Sequence, residues 1–195
     1  MTHTPAIFQL PLAIPFWIIF FFAFVREAKV VRPALGEKPS AQDSGTFRAL
    51  MIGSPIAVLA AGTAAYLPWL TIPSPVAAVV IGTILIVAGA VLRRYCFYAL
   101  GTSFTGVVTV KQDQRIVESG LYRLVRHPSY TAAFMMFTGL GLALGSWISV
   151  AILFLAHCYL YGRRVVAEEN ALVDTLGAPY TEYMLRTKRF IPFLV

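Results

Sequence analysis

HPSYTAAFMMFTGLGLALGSWISVAILFLAHCYLYG, residues 127–162, contains no Asp, Glu, Lys or Arg. A membrane-spanning helix needs about 20 apolar residues, so the stretch is too long for one span. Gly145, Ser146 and Trp147 divide it near the middle, which predicts a tight hairpin of two short helices. Two more uncharged blocks precede it. Residues 49–92 are split by the prolines of LPWLTIPSP (67–75) into two helices, and residues 1–25 form one. The first is entered through Pro5, Pro11 and Pro15, so it begins late or is kinked.

Five spans place segments 26–48, 93–126 and 163–195 on one side of the membrane, and all 16 Lys and Arg residues lie in them. The bias of basic residues makes that side cytoplasmic and the N-terminus external. The composition agrees: 58% apolar residues, 13% charged residues and a mean hydropathy of +0.72 are far from those of a soluble globular domain. The expected fold is an all-α, multi-pass integral membrane protein with about five transmembrane helices and a small C-terminal cytoplasmic helical cap. MTHTP carries no basic leader, and no small-residue cleavage site follows, so the first apolar block is expected to be retained. The net charge of +7 is accounted for by basic residues flanking spans and meeting membrane lipids, and calls for no nucleic acid.

Cys96 and Cys158 offer neither a disulfide nor a metal framework and are read as packing residues. Gly141 and Gly145 make a GxxxG, which supports close helix packing. His157, alone inside a span, is expected to hydrogen-bond between helices.

Polar residues concentrate in two places on the cytoplasmic side. The first runs from LGTSFTGVVTV (100–110) to KQDQRIVESGLYRLVRHPSY (111–130). GVVTV and RIV suggest short extended pieces about a turn at Lys111–Gln114, and Gly120 permits a tight turn into Tyr122. In RHPSY, Pro128 suits the first turn of a helix. His127 then stands at the membrane boundary beside free helix N–H groups able to hold a carboxylate or phosphate. Arg123 and Arg126 read as anchors. The second place, YGRRVVAEEN (161–170), carries Arg164 and Glu168 one helical turn apart. The pair fits a surface ion pair, but Glu168 and Glu169 also leave the membrane on the same face as His127. A convergence of ionisable groups at a membrane boundary marks a candidate site.

These elements together resemble the isoprenylcysteine carboxyl methyltransferase family, with its related phospholipid N-methyltransferases and small-thiol methyltransferases. The resemblance covers residues 98–195. It rests on LGTSF, the pattern G-x-Y-x-x-x-R-H-P-x-Y at Gly120–Tyr130, Ser146-Trp147, Arg164 followed by Glu168-Glu169, and the tail G-x-x-Y-x-x-Y ending in Arg189-Phe190-Ile191-Pro192. It implies an S-adenosyl-L-methionine-dependent methyltransferase without a Rossmann sheet. Gln114, Arg115, Ile116, Val117, Tyr122, His127, Pro128, Tyr130, Glu168 and Glu169 would line the cofactor pocket, and Arg164 would take the substrate position. Thr109 falls at a further cofactor position. Residues 98–195 would be the cofactor-binding catalytic region of a single membrane domain, and 1–97 three variable spans. The acceptor would be a lipophilic small molecule or a lipidated substrate, with a carboxylate favoured. Two other classes compete: an NADPH-dependent, sterol-reductase-like oxidoreductase, against which Glu168-Glu169 argues, and a non-enzymatic transporter or assembly factor. The oligomeric state is not legible.

Overall fold

The structure, a computed structural model, describes residues 4–31, 43–101 and 116–191, the side chains of 26–31 excepted. Gln114, Arg115, Thr109, the GVVTV stretch and the turn at 111–114 lie outside the described residues. The remainder is helical: α1 (Ala13–Val31), α2 (Thr46–Ala64), α3 (Pro75–Leu100), α4 (Pro128–Ala143), α5 (Trp147–Leu176) and α6 (Ala178–Arg186). No strand occurs among the described residues, and Ile116 and Val117 form no regular structure.

The breaks fall where Pro and Gly predicted them. Pro11 and a single 3₁₀ turn at Ala6–Phe8 precede α1, and Pro15 sits in its first turn, where a missing N–H costs nothing. The α4–α5 hairpin turns at Gly145, whose φ of +73° favours glycine. The loop between α2 and α3 meets this turn: Ile72 N–H donates to Gly145 O at 2.8 Å and Trp147 N–H to Leu70 O at 2.9 Å. Both connections therefore sit at one end of the bundle, and the polar segments gather at the other.

Among the described residues, three helices, α2, α3 and α5, are long and apolar enough to cross a membrane. The pattern of side chains suits a lipid solvent. Phe21, Ile52, Leu59 and Leu155 are exposed, whereas Ala57, Ala61, Ala132, Ala133 and Ala143 lie inside. With no hydrophobic force to drive helices together in lipid, small residues let their backbones approach. The tightest seam joins α3 to α4. A Cβ on Gly82 would collide with Gly139 O and stand 2.7 Å from Ala143 N, and one on Gly89 would stand 2.6 Å from Ala132 O. The GxxxG glycines serve differently. Gly141 packs on α5, where a Cβ would lie 2.7 Å from Val150 Cα, while Gly145 makes the turn.

The hairpin helices are not both short. α4 has 16 residues, but α5 continues without a break for 30, about 45 Å at 1.5 Å per residue. A hydrocarbon core of about 30 Å takes up two thirds of that length. His157 also departs from expectation. It is fully buried, its Nδ1 lies 2.8 Å from Leu153 O of its own helix, and it meets α4 by stacking on Phe137 at 3.5 Å between ring centroids. Cys96 is buried and Cys158 exposed.

Replacing Gly139 by Val is expected to destabilise the fold by about 1–3 kcal/mol through overpacking. Gly62→Ala, with nothing within 4 Å of the added Cβ, should be neutral or stabilising by about 0.5–1 kcal/mol. Unfolding midpoints of the detergent-purified variants check both.

Candidate active site

α5 leaves the bundle carrying Arg164, Glu168 and Glu169. Successive helical residues are about 100° apart, so the two acids point to different partners. Glu168 faces Arg164 and Tyr130. Arg164 Nε donates to Glu168 Oε1 at 3.0 Å and lies 3.4 Å from the Tyr130 hydroxyl, and that hydroxyl also donates to Glu168 Oε1. Glu169 faces three nitrogenous side chains. Its Oε1 accepts from Arg126 Nε at 2.9 Å and its Oε2 from Arg189 Nε at 3.0 Å.

His127 stands between the acids. Its Nε2 is 3.3 Å from Glu169 Oε1 and its Nδ1 is 3.6 Å from Glu168 Oε2. A neutral imidazole can donate to one of them only. As expected, His127 occupies the N-cap position of α4 and Pro128 follows at its first residue. The His127 ring stacks on Tyr130 at 5.6 Å, and Tyr130 in turn on Tyr161 at 4.8 Å.

The free N–H groups before α4 do not all await a ligand. The chain turns back after α6 and lies parallel to residues 124–127. Arg126 N–H donates to Lys188 O at 2.7 Å, His127 N–H to Arg189 O at 2.9 Å, and Lys188 N–H to Leu124 O at 3.0 Å. Thr131 Oγ1 adds a bond to Phe190 O at 2.8 Å. This strap brings Arg189 to Glu169.

Arg126 is a correction to the sequence reading. It is not a simple anchor, since its side chain is 8% exposed and its Nη1 donates to Met184 O and Thr187 O. Arg123 is exposed. Asp43, which sequence reasoning missed, is fully buried and accepts from Arg164 Nη1 at 2.8 Å. The Arg164–Glu168 pair is consequently no surface pair: Arg164 is 3% exposed and Glu168 22%. A helix-capping reading of DSGT (43–46) could have placed Asp43 at a helix start, but nothing local names Arg164 as its partner.

Tyr122 belongs to a second group. Its hydroxyl is buried without a hydrogen-bonding partner among the described residues. Burial, followed by its neighbour Cys96, pushes its phenol well above the usual range. Its carbonyl accepts from the Tyr183 hydroxyl at 2.6 Å, which burial holds protonated with a pKa of about 12.

The result is a linked array of three arginines and three carboxylates, buried at Asp43, Arg164, Arg126 and Glu169 and open to solvent at Arg189 and Glu168, with the His127 imidazole between the two glutamates. Such an array can fix a zwitterionic ligand through charge-assisted hydrogen bonds. Glu169→Gln should cost about 3 kcal/mol, because it leaves the buried Arg126 guanidinium without its counter-charge. Arg186→Ala, which breaks an exposed pair with Glu118, should cost under about 1 kcal/mol. Denaturant unfolding of the two variants checks the contrast.

Comparison with known proteins points the same way. Residues 80–174 match the model of the isoprenylcysteine carboxyl methyltransferase (ICMT) family. Protein-S-isoprenylcysteine O-methyltransferase B of Arabidopsis thaliana is 28% identical over 115 residues, which is 58% of either chain. The protein-S-isoprenylcysteine O-methyltransferase of Schizosaccharomyces pombe is 32% identical over 54% of this chain and 46% of its own. That of Saccharomyces cerevisiae is 31% identical over 59% of this chain and 49% of its own. The chain thus spans about half the length of the curated relatives it matches. A solved structure of a eukaryotic intramembrane Ras methyltransferase, ICMT, shares the fold, with a TM-score of 0.61 at 24% identity over 72% of this chain and 52% of that one. The arrangement of His127, Tyr130, Arg164, Glu168 and Glu169 falls within residues 80–174, the segment that is similar to the isoprenylcysteine carboxyl methyltransferase family.

Proposed function

We propose that the protein is a membrane-integral, S-adenosyl-L-methionine-dependent methyltransferase acting on a lipidated acceptor whose methylated group is a carboxylate. The observation that carries this reading is the meeting of Arg126, His127 and Tyr130 with Arg164, Glu168 and Glu169 at one end of an apolar bundle. In this reading all five long helices span, the N-terminus is external and the site faces the cytoplasm. Residues 98–195 form the catalytic region, and 1–97 select the acceptor.

The residues present suit the cofactor. A zwitterion with a ribose diol needs donors and acceptors side by side, and the array supplies both. The unpaired, buried Tyr122 hydroxyl offers a further polar contact. Gln114 to Val117, Tyr122, His127, Pro128, Tyr130 and Glu168 would hold it, with Glu168, the more exposed acid, accepting from ammonium or ribose hydroxyls. Glu169 contributes by fixing His127, Arg126 and Arg189. When bound, the cofactor supplies an electrophilic methyl group. An ionised carboxylate would need no general base to accept that methyl group, the C–S bond breaking as S-adenosylhomocysteine leaves, so this chain's task is alignment and exclusion of water. Arg164 orients the acceptor carboxylate, and the lipid chain lies among the apolar helices.

The test is transfer of labelled methyl from S-adenosyl-L-methionine to a farnesylated N-acetylcysteine, with isothermal titration of S-adenosylhomocysteine and of NADPH alongside. Methylation at the carboxylate is expected. Binding of NADPH without S-adenosylhomocysteine would overturn the reading. His127→Ala should weaken S-adenosylhomocysteine binding by roughly tenfold or more, the worth of one charge-assisted hydrogen bond. Arg164→Ala should lower methyl transfer by at least that factor and cofactor affinity far less.

A further inference from the structure

Arg164 is held from outside the family segment. Asp43 precedes α2, well before the matched residues 80–174, and its Oδ1 receives Arg164 Nη1 at 2.8 Å. The same carboxylate is tied to α2. Oδ2 accepts from Phe47 N–H at 3.0 Å, and Oδ1 accepts from the Thr46 hydroxyl at 3.2 Å. It thereby satisfies one of the N–H groups that a helix N-terminus leaves open, close to the positive end of the helix dipole. Asp43 is fully buried and cannot turn from Arg164 to follow a ligand without uncapping α2. Across the guanidinium, Glu168 holds Nε, and the Phe47 ring lies 6.0 Å from Cζ. Glu168 is partly exposed and is assigned above to the cofactor, whereas Asp43 reaches no solvent.

We infer that Asp43 is a positioning residue for the methyl acceptor: it fixes the Arg164 guanidinium at an orientation set by α2, so the variable N-terminal spans govern acceptor recognition through a buried ion pair. The inference rests on the role proposed for Arg164 and deepens it. Asp43 is no mobile stand-in for the acceptor carboxylate, since a stand-in would have to leave when the acceptor binds. The two alternatives differ in sign. Loss of a stand-in would tighten acceptor binding, and loss of a positioning carboxylate weakens it.

Asp43→Asn separates the charge from the cap, because the amide oxygen can still accept from Phe47 N–H. The variant is expected to raise KM for a farnesylated N-acetylcysteine about tenfold, the loss of one charge-assisted hydrogen bond. Its affinity for S-adenosylhomocysteine should stay close to wild type, while its unfolding midpoint should fall, because Arg164 loses one of its two buried counter-charges. Asp43→Glu should recover part of the loss. In a double-mutant cycle, D43N/R164A should be no worse than R164A alone, because Asp43 acts through Arg164. An unchanged or lowered KM in D43N, or losses that add in the cycle, would overturn the inference. An activity-independent measurement separates it from the functional reading: the Arg164 Nε–H resonance, assigned by its disappearance in R164K, should shift in D43N. If D43N does not fold, the same resonance decides in D43E, whose extra methylene displaces the carboxylate. An unshifted resonance overturns the inference, and a shifted one in a protein that methylates nothing overturns the proposed function alone.

Discussion

A guanidinium stays charged at any pH a protein tolerates, so Arg164, 3% exposed, can exist where it does only if anions are delivered to it. That requirement organises the polar end of the molecule. One anion comes from the next turn of its own helix, and the other from Asp43, far away in sequence. Glu169 imposes the converse demand and draws in Arg126 from the start of α4 and Arg189 from the strap after α6. His127 touches both acids and joins the two groups. Segments with little apolar surface of their own are thus located by charge compensation, while the apolar helices locate one another by shape.

The length of α5 decides where this happens. Counting about 20 residues of hydrocarbon from Trp147 ends the lipid-facing part near Val166. On the proposed span, Arg164, Glu168 and Glu169 sit where the surrounding medium changes from lipid to water. Further in, uncompensated charge would be prohibitively costly; further out, solvent would weaken each pair. At this depth the pairs are strong, and an amphiphile can present its headgroup while its chain remains in lipid.

What the sequence disclosed follows from range. Helix breaks depend on neighbouring residues, so Pro5, Pro11, LPWLTIPSP and Gly145-Ser146 announced them. The contents of the site were partly visible because His127-Pro128 and Arg164–Glu168 lie close together along the chain. Arg126 was misread because a basic residue before an apolar run satisfies the general rule for membrane anchors, and Glu169, its actual partner, lies on another helix. Asp43 was missed for the same reason in a stronger form: its capping of α2 is local, but its pairing with Arg164 spans most of the chain. His157 could be placed inside a span, but the choice between a partner across helices and Leu153 O depended on packing. The α3–α4 glycine seam escaped as well, since Gly82, Gly89 and Gly139 form no short motif.

That seam acts as a ruler for the site. Where Gly82 and Gly139 meet, main chain rests on main chain, with no flexible side chain to absorb a sliding motion. A slip of one residue would displace α3 along α4 by about 1.5 Å, more than a hydrogen bond tolerates. The vertical position of α3 is therefore indexed to α4, and at the polar end Arg93 Nη1 meets Ser129 O at 2.7 Å. Ser129 lies two residues past His127, so glycines in the apolar interior set the height at which the polar ends of α3 and α4 face each other.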